Sequence, residues 1–373
     1  MSPIWREGNR VTLLPEASRF LPAMLDAIHH ARHYVLVELY LMASGTLADR
    51  VSEALMQAAR RGVSVYLLLD GFGSMGLSSN DRHRLRQAGI QLRLFNPLGF
   101  HSLARNLSRD HRKIVVVDGD VAFTGGFGAV DEFLDAWYEI AVRIEGPVVA
   151  DWETLFRRLW RSRLTRADSA QASRQPLPAP REPMRYPDGV RGRTMSARGY
   201  RYQAIRYSLH RRVETAQTRI WLCTPYFVPT FALRRRLTRA ARRGVDVRLL
   251  LPGAKHDHPG VRYAGQRFYQ AMLKAGVRIY EFQPTFIHAK FVLADDWVSI
   301  GSCNFDHWNL HWNLEANQEV DDPGLAEEVR QLFERHFAAS DEVDAARWAA
   351  RPWTQRAREW VYGLLDAAVM RLK

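Results

Sequence analysis

Two apolar runs, Tyr34–Met42 and Ile220–Val228, stand at matching places in the chain. Downstream of each come apolar residues at helical spacing, then Arg-Gly, then a second apolar run. The helix, glycine and buried-strand order predicts α/β units whose sheets are covered on both faces. The pattern is a true repeat. Ala58-Ala-Arg-Arg-Gly-Val-Ser-Val-Tyr-Leu-Leu-Leu-Asp-Gly71 returns as Ala240-Ala-Arg-Arg-Gly-Val-Asp-Val-Arg-Leu-Leu-Leu-Pro-Gly253, with eleven of fourteen positions identical. Ala88–Pro97 returns as Ala275–Pro284. So long a period excludes a solenoid and predicts two similar domains related by a pseudo-two-fold axis.

The boundaries follow from composition. An N-terminal domain is expected over 1–161, ending on a helix with Trp152, Leu155, Phe156, Leu159 and Trp160 on one face. Residues 162–200 are rich in Arg, Ser and Pro (Pro176, Pro178, Pro180, Pro183, Pro187) and are expected to form a linker. The second domain is expected over 201–340. Residues 341–373 place Trp353, Ala357, Trp360, Val361, Leu364, Leu365, Ala368 and Leu372 at helical spacing among arginines. That helix either docks on its own domain or rests on a membrane.

Charge adds direction. The 373 residues carry a net charge of +13, which favours polyanions such as an anionic membrane or nucleic acid. No run approaches the roughly 18 apolar residues of a membrane span, and no signal-peptide layout opens the chain. The expectation is a soluble or peripherally attached cytoplasmic protein. The two cysteines, Cys223 and Cys303, build neither a disulfide framework nor a zinc site. No metal or nucleotide motif is present, so no cofactor is expected.

Lysine occurs only at 113, 255, 274, 290 and 373; every other basic side chain save the histidines is arginine. Two of those lysines fill the same slot of a duplicated pattern, His111-Arg-Lys113-Ile-Val-Val-Val-Asp118 and His288-Ala-Lys290-Phe-Val-Leu-Ala-Asp295. A neutral imidazole beside an ammonium suits a phosphate: one attacks phosphorus and the other holds its oxygens. Asp118 and Asp295 stand an odd number of residues after the histidine and are expected to fix the following turn. A catalytic histidine needs an orienting carboxylate. Glu139 follows His111 by 28 residues and Glu315 follows His288 by 27, which suggests a pair within each repeat. His29, His30, His33, His83, His210 and His336 are expected on helix surfaces, and His256 and His258 in a polar loop that could line the site.

The paired motifs, together with Val142-Arg-Ile-Glu-Gly-Pro-Val-Val149, Pro225-Tyr-Phe-Val-Pro229 and Asn313-Leu-Glu-Ala-Asn317, resemble the phospholipase D superfamily. More narrowly, they resemble the short bacterial cardiolipin synthases of the B type, from about Val11 to Phe337. The resemblance implies two tandem phospholipase D-like α/β domains, each with a mixed, largely parallel sheet. It implies a phosphohistidine intermediate, with one histidine as nucleophile and the other as acid and base. Lys113, Lys290 and Asn304 would hold the phosphoryl oxygens, with Ser302, Gly126 and Thr124 near them. It also implies phosphatidylglycerol as substrate, cardiolipin and glycerol as products, no nucleic acid, and a peripheral position on the cytoplasmic face of the inner membrane. Gly128 departs from the asparagine usual in the family, and Thr124 is the candidate to compensate.

Hydrolysis of a phospholipid or of nucleic acid shares the motif and stays open, as does a non-catalytic lipid-binding role. Comparing the repeat offsets, 187 for the Ala-Gly segments and 177 for the histidines, leaves ten extra residues between Pro97 and His111. Phe100, Leu103, Arg105 and Leu107 lie in this insertion, which is expected to wall a lipid entrance.

Overall fold

The computed structural model describes residues 3–99, 108–168, 176–198, 202–305 and 313–371. Phe100, Leu103, Arg105 and Leu107 lie outside the described residues. In the first half the strands are β1 Arg6–Pro15, β2 Tyr34–Leu39, β3 Ser64–Asp70, β4 Gln91–Phe95, β5 Ile114–Val117, β6 Val121–Gly125, β7 Trp137–Tyr138, β8 Ile140–Glu145 and β9 Thr165–Ala167. In the second half they are β10 Val190–Arg198, β11 Tyr202–Gln203, β12 Arg219–Cys223, β13 Asp246–Pro252, β14 Arg278–Phe282, β15 Phe286–Ile287, β16 Phe291–Ala294, β17 Trp297–Gly301, β18 Leu314–Asp321 and β19 Ser340–Glu342.

The halves repeat one topology. The first sheet runs β9-β4-β3-β2-β5-β6-β8-β1. The second runs β19-β14-β13-β12-β16-β17-β18-β10, and the edge strands β1 and β10 join the two. Both sheets are mixed, as expected. Their parallel part is confined to β2-β3-β4 and β12-β13-β14, because only there do helices cross over between strands. The short turns after β5 and β16 force the remaining neighbours antiparallel.

The repeated Arg-Gly has a plain structural use. The helices Thr46–Arg60 and Phe231–Arg242 end just before Gly62 and Gly244, whose φ values of 89° and 92° suit glycine at a helix terminus. Leu47, Val51, Leu55 and Ala58 bury one face of the first of these helices against the sheet.

The layers are helix, sheet, helix, sheet, helix. The outer helices Ala17–His29 and Thr46–Arg60 pack on the first sheet. Ala204–Thr215 and Phe231–Arg242 pack on the second. Between the sheets lie Val149–Trp160 and Pro323–Ala338, so that Trp152, Phe156, Trp221, Phe291 and Phe333 form one shared core. Trp152 Nε1 donates to Gln318 Oε1 across the halves at 2.9 Å.

Three expectations are revised. Residues 162–200 are not all linker, since β9 extends the first sheet and β10 pairs with β18 in the second. Arginine-rich β10 is tolerated there because Glu319 takes Arg193 and Trp5 stacks under it. His210 and His336, expected on helix surfaces, are buried; His336 fits between Tyr138 and Phe282.

Candidate active site

Each His-x-Lys motif lies just ahead of a buried central strand, β5 or β16, at the edge where the parallel strands end. Asp118 and Asp295 set the far end of that strand. Both adopt positive φ, 55° and 51°, a conformation aspartate tolerates better than most side chains. The Asp118 carboxylate accepts the N–H groups of Arg32, His33 and Tyr34, each at 2.8 Å. Asp295 accepts those of Gln217, Thr218 and Arg219 at 2.9–3.1 Å. Each aspartate thus ties the strand to the loop before β2 or β12.

The glutamates pair across the halves, not within them. Glu315 Oε1 lies 2.9 Å from His111 Nδ1, and Glu139 Oε2 lies 2.7 Å from His288 Nδ1. The backbone explains the exchange. The N–H of His111 donates to the carbonyl of Leu314, and that of His288 to the carbonyl of Tyr138. The residue after each accepting carbonyl is a glutamate, so it meets the other half's histidine. Equal spacing along the chain was consistent with either pairing, and the pseudo-two-fold axis selects this one.

The lysines complete one buried centre. Lys290 Nζ lies 2.8 and 3.0 Å from the ring nitrogens of His288 and 3.4 Å from Glu139. Lys113 Nζ donates to the His111 carbonyl at 2.6 Å and lies over the Tyr40 ring. Burial, then the charges of Lys113, Lys290 and His288, hold the His111 pKa well below its ordinary value. Burial, Lys290 and Lys113 do the same to His288, while Asp257 opposes them. Burial brings Lys113 down to about 7 and pushes Glu139 up to about 7. Lys290 is lowered by burial against the pull of Glu139. The crossed carboxylates bring both motifs into one buried cluster.

The remaining expected residues fall into two groups. Asn304 is buried, and its Oδ1 meets no hydrogen-bond donor among the described residues, as a group facing a ligand would. The others pack against the paired side chains. Ser302 donates its hydroxyl to Glu315. At the matching place Gly126 leaves room for Glu139, since a Cβ there would lie 2.1 Å from Oε2. Thr124 spends its hydroxyl on the Lys113 carbonyl at 2.9 Å, so it is not free to replace an asparagine at Gly128. An asparagine would not fit at Gly128, where a Cβ would come within 2.9 Å of Leu41 and 3.1 Å of Phe133. Phe133 occupies that space and packs on His288.

Sequence reasoning missed the aromatic setting. Trp137 stacks on His288 at 4.9 Å, and Phe286 and Tyr226 flank it. Tyr40 meets the edge of His111, also at 4.9 Å. Tyr40 and Tyr226 occupy equivalent places in the two apolar runs, which was the available signal.

Two buried histidines, each with a carboxylate on Nδ1 and a lysine beside it, form an arrangement chemically suited to a phosphodiester. The family described as cardiolipin synthase, PLD-like domain, matches residues 24–160 and 209–337. The chain belongs to that family. It is 33% identical over 372 residues to cardiolipin synthase A of Yersinia pseudotuberculosis, covering 95% of this chain and 75% of the relative. It is 32% identical over 368 residues to cardiolipin synthase B of Shigella flexneri, covering 94% and 86%. In fold it is similar to phosphatidylserine synthase of Haemophilus influenzae, with a TM-score of 0.76 over 97% of this chain and 93% of the other at 12% identity. Polyphosphate kinase of Porphyromonas gingivalis shares the fold at a TM-score of 0.61 and 16% identity, covering 91% of this chain and 49% of the kinase.

Proposed function

We propose that this phosphatidyltransferase acts as a cardiolipin synthase that joins two phosphatidylglycerol molecules. The observation that carries the reading is the cross-paired centre of His111–Glu315 and His288–Glu139, with a lysine on each side. A carboxylate on each Nδ1 holds that proton and leaves Nε2 to do chemistry. His111 Nε2 attacks phosphorus, and the bond to the glycerol headgroup breaks. His288 gives that oxygen a proton, and glycerol leaves. His288 then takes the proton of a hydroxyl on a second phosphatidylglycerol. That oxygen attacks phosphorus, the P–N bond to His111 breaks, and cardiolipin forms. Asp257 opposes the lowering of the His288 pKa, which supports His288 as the proton donor. Lys113, Lys290 and Asn304 offer donors to the non-bridging oxygens.

The substrate is presented at a membrane surface. Among the described residues no helix is long and apolar enough to cross a membrane. The C-terminal helix Trp353–Arg371 docks on the helix Pro259–Gln266 through Arg267 to the Gly363 carbonyl and Tyr263 against Tyr362. Its outer face leaves Trp353, Trp360, Leu364 and Leu365 exposed, Trp360 at 65%. Tryptophans and leucines beside arginines fit an interfacial helix on an anionic bilayer. The cytoplasmic leaflet of the inner membrane is the surface we assign to it.

The test is mass spectrometry of phosphatidylglycerol vesicles after addition of the protein. Cardiolipin and glycerol are expected, and His111→Ala and His288→Ala should each abolish them. Phosphatidic acid without cardiolipin would replace transfer by hydrolysis.

A further inference from the structure

The catalytic centre is nearly symmetric, but its two rims are not. In the repeat, the loop after β3 corresponds to the loop after β13, with Gly71 matching Gly253. Each loop borders the tyrosine that meets its own half's histidine. Gly73 is pressed against the Tyr40 backbone, where a Cβ would lie 2.2 Å from the Tyr40 carbonyl oxygen. Asp257 takes the hydroxyl of Tyr226. The first loop presents Phe72 and Met75 to solvent, 46% and 58% exposed. At the corresponding places the second carries Ala254 and Asp257, with His256 and His258 on either side of Asp257.

This polar cluster is continuous with His288. The Tyr226 ring lies 5.8 Å from that of His256, 6.0 Å from His258 and 6.4 Å from His288. His256 stacks near Phe286 at 5.1 Å, and Phe286 touches His288 at 5.8 Å. The His256 side chain is 1% exposed, Asp257 17% and His258 68%, so the cluster leads from solvent to the catalytic centre.

His256 Nδ1 accepts the N–H of His258 at 2.9 Å, so neutral His256 carries its proton on Nε2. One Asp257 oxygen takes the Tyr226 hydroxyl, and the other faces the His256 ring nitrogen at 3.1 Å. The Asp257 carboxylate and the Tyr226 phenol oxygen, whose hydrogen goes to Asp257, can accept, and the His256 N–H can donate, so the cluster offers acceptors and a donor together. That set matches a polyol, whose hydroxyl groups both give and accept.

We propose that Tyr226, His256 and Asp257 form a polyol subsite that holds the glycerol headgroup beside His288. The inference rests on the phosphatidyl-transfer reading and deepens it. An alcohol held there stands next to the histidine that exchanges its proton. The apolar rim at Phe72 and Met75, on the other side, suits the diacylglycerol portion. The step needs no further reactant: the polyol leaves phosphorus with the His288 proton, or attacks phosphorus after giving its proton back.

The test is competition between acceptors. Short-chain phosphatidylglycerol is incubated with equal concentrations of deuterated glycerol and 1-propanol. Labelled phosphatidylglycerol, phosphatidylpropanol, cardiolipin and phosphatidic acid are then counted by mass spectrometry. The wild-type chain should favour glycerol, and Asp257→Ala and Asp257→Asn should cut the glycerol-to-propanol ratio roughly 10- to 100-fold. Tyr226→Phe frees the carboxylate and should cut it in the same direction. It serves as the reading variant if Asp257→Ala fails to fold. A merely structural role for Asp257 lowers both products together and leaves the ratio unchanged, which overturns the proposal. So does a wild-type chain that does not prefer glycerol. Labelled phosphatidylglycerol reports free glycerol and cardiolipin reports a lipid-borne hydroxyl, so the two sources are separated. If exchange with a falling ratio is seen but no cardiolipin, the subsite stands and the synthase reading falls.

Discussion

The exchange of carboxylates between the halves makes a sharp prediction about Glu139→Gln and Glu315→Gln. Glutamine keeps the shape but loses the charge that faces His288 Nδ1 at 2.7 Å. At an effective dielectric constant of about 20, a unit charge at that distance stabilises an imidazolium by roughly 6 kcal/mol. The amide carbonyl retains an ordinary hydrogen bond, worth about 1 kcal/mol. The remainder corresponds to a roughly 10³- to 10⁴-fold loss of turnover. Magnitude alone does not reveal which histidine has been disabled. A donor lipid with a nitrophenol leaving group does, because that group departs without a proton. Variants of the acid histidine and its carboxylate should regain phosphoenzyme formation on this donor, and variants of the nucleophile and its carboxylate should not. Glu139→Gln should sort with His288→Ala, and Glu315→Gln with His111→Ala. Glu139→Gln sorting with His111→Ala would refute the cross-pairing. Because burial pushes Glu139 up to about 7, wild-type turnover should also fall as pH drops through 7 and the carboxylate takes a proton.

Gly126→Ala should cost most of the activity, since its Cβ would lie 2.1 Å from Glu139 Oε2; full activity with an unmoved glutamate would contradict the packing. Burial holds His336 down to about 4, below its unfolded value near 6.5. The stability it contributes is complete above 6.5 and lost as pH falls towards 4, about 3 kcal/mol in all. Denaturant titrations should show His336→Gln losing correspondingly less than wild type between pH 7 and 4. Trp353→Ser combined with Trp360→Ser and Leu364→Ser removes side chains already exposed on the C-terminal helix. It should leave the melting temperature within a degree or two and lower sedimentation with phosphatidylglycerol vesicles at least tenfold; unchanged sedimentation would mean the helix only docks on its own domain.

Much of the fold was legible because duplication writes the same physics twice. The Arg-Gly after each helix, the apolar runs and the two aspartates all sit where their spacing implied. The lysines stood out because the chain otherwise uses arginine. What spacing along the chain cannot carry is a contact between the halves. Glu139 reaches His288 through the hydrogen bond from the His288 N–H to the Tyr138 carbonyl, and no intrarepeat distance encodes that bond. β10 was read as linker because Arg191, Arg193 and Arg198 dominate its composition; its partners Glu319 and Trp5 are remote in sequence. The roles of Gly126 and Ser302 were hidden for a different reason: each faces a glutamate thirteen residues on in its own half, brought beside it by antiparallel strand pairing.

The two histidines are alike in chemistry and unlike in support. His111 is flanked in sequence by Asp110 and Arg112, both buried, and Arg112 Nε reaches Glu38 at 2.8 Å and Asp110 at 3.2 Å. Asp70 accepts the Asp110 N–H at 2.8 Å and pairs with Arg109 at 3.4 Å. Three buried carboxyl groups therefore share two guanidinium groups, and burial pushes Glu38 well above the usual carboxylate range against the pull of Arg112. In the second half the corresponding residues are Thr224, Pro252, Phe286, Ile287 and Ala289, with no charge among them. There the histidine is held instead by Trp137, Phe133 and Phe286. The difference tracks the chain's own asymmetry. His288 follows the short strand β15, which is paired to β7 and delivers it directly. His111 is delivered by a shorter version of that pairing, a parallel bridge of Asp110 to Leu314, and the ionic network adds to this backbone hold. A duplicated site can thus keep its reacting atoms symmetric while each half anchors them by different means.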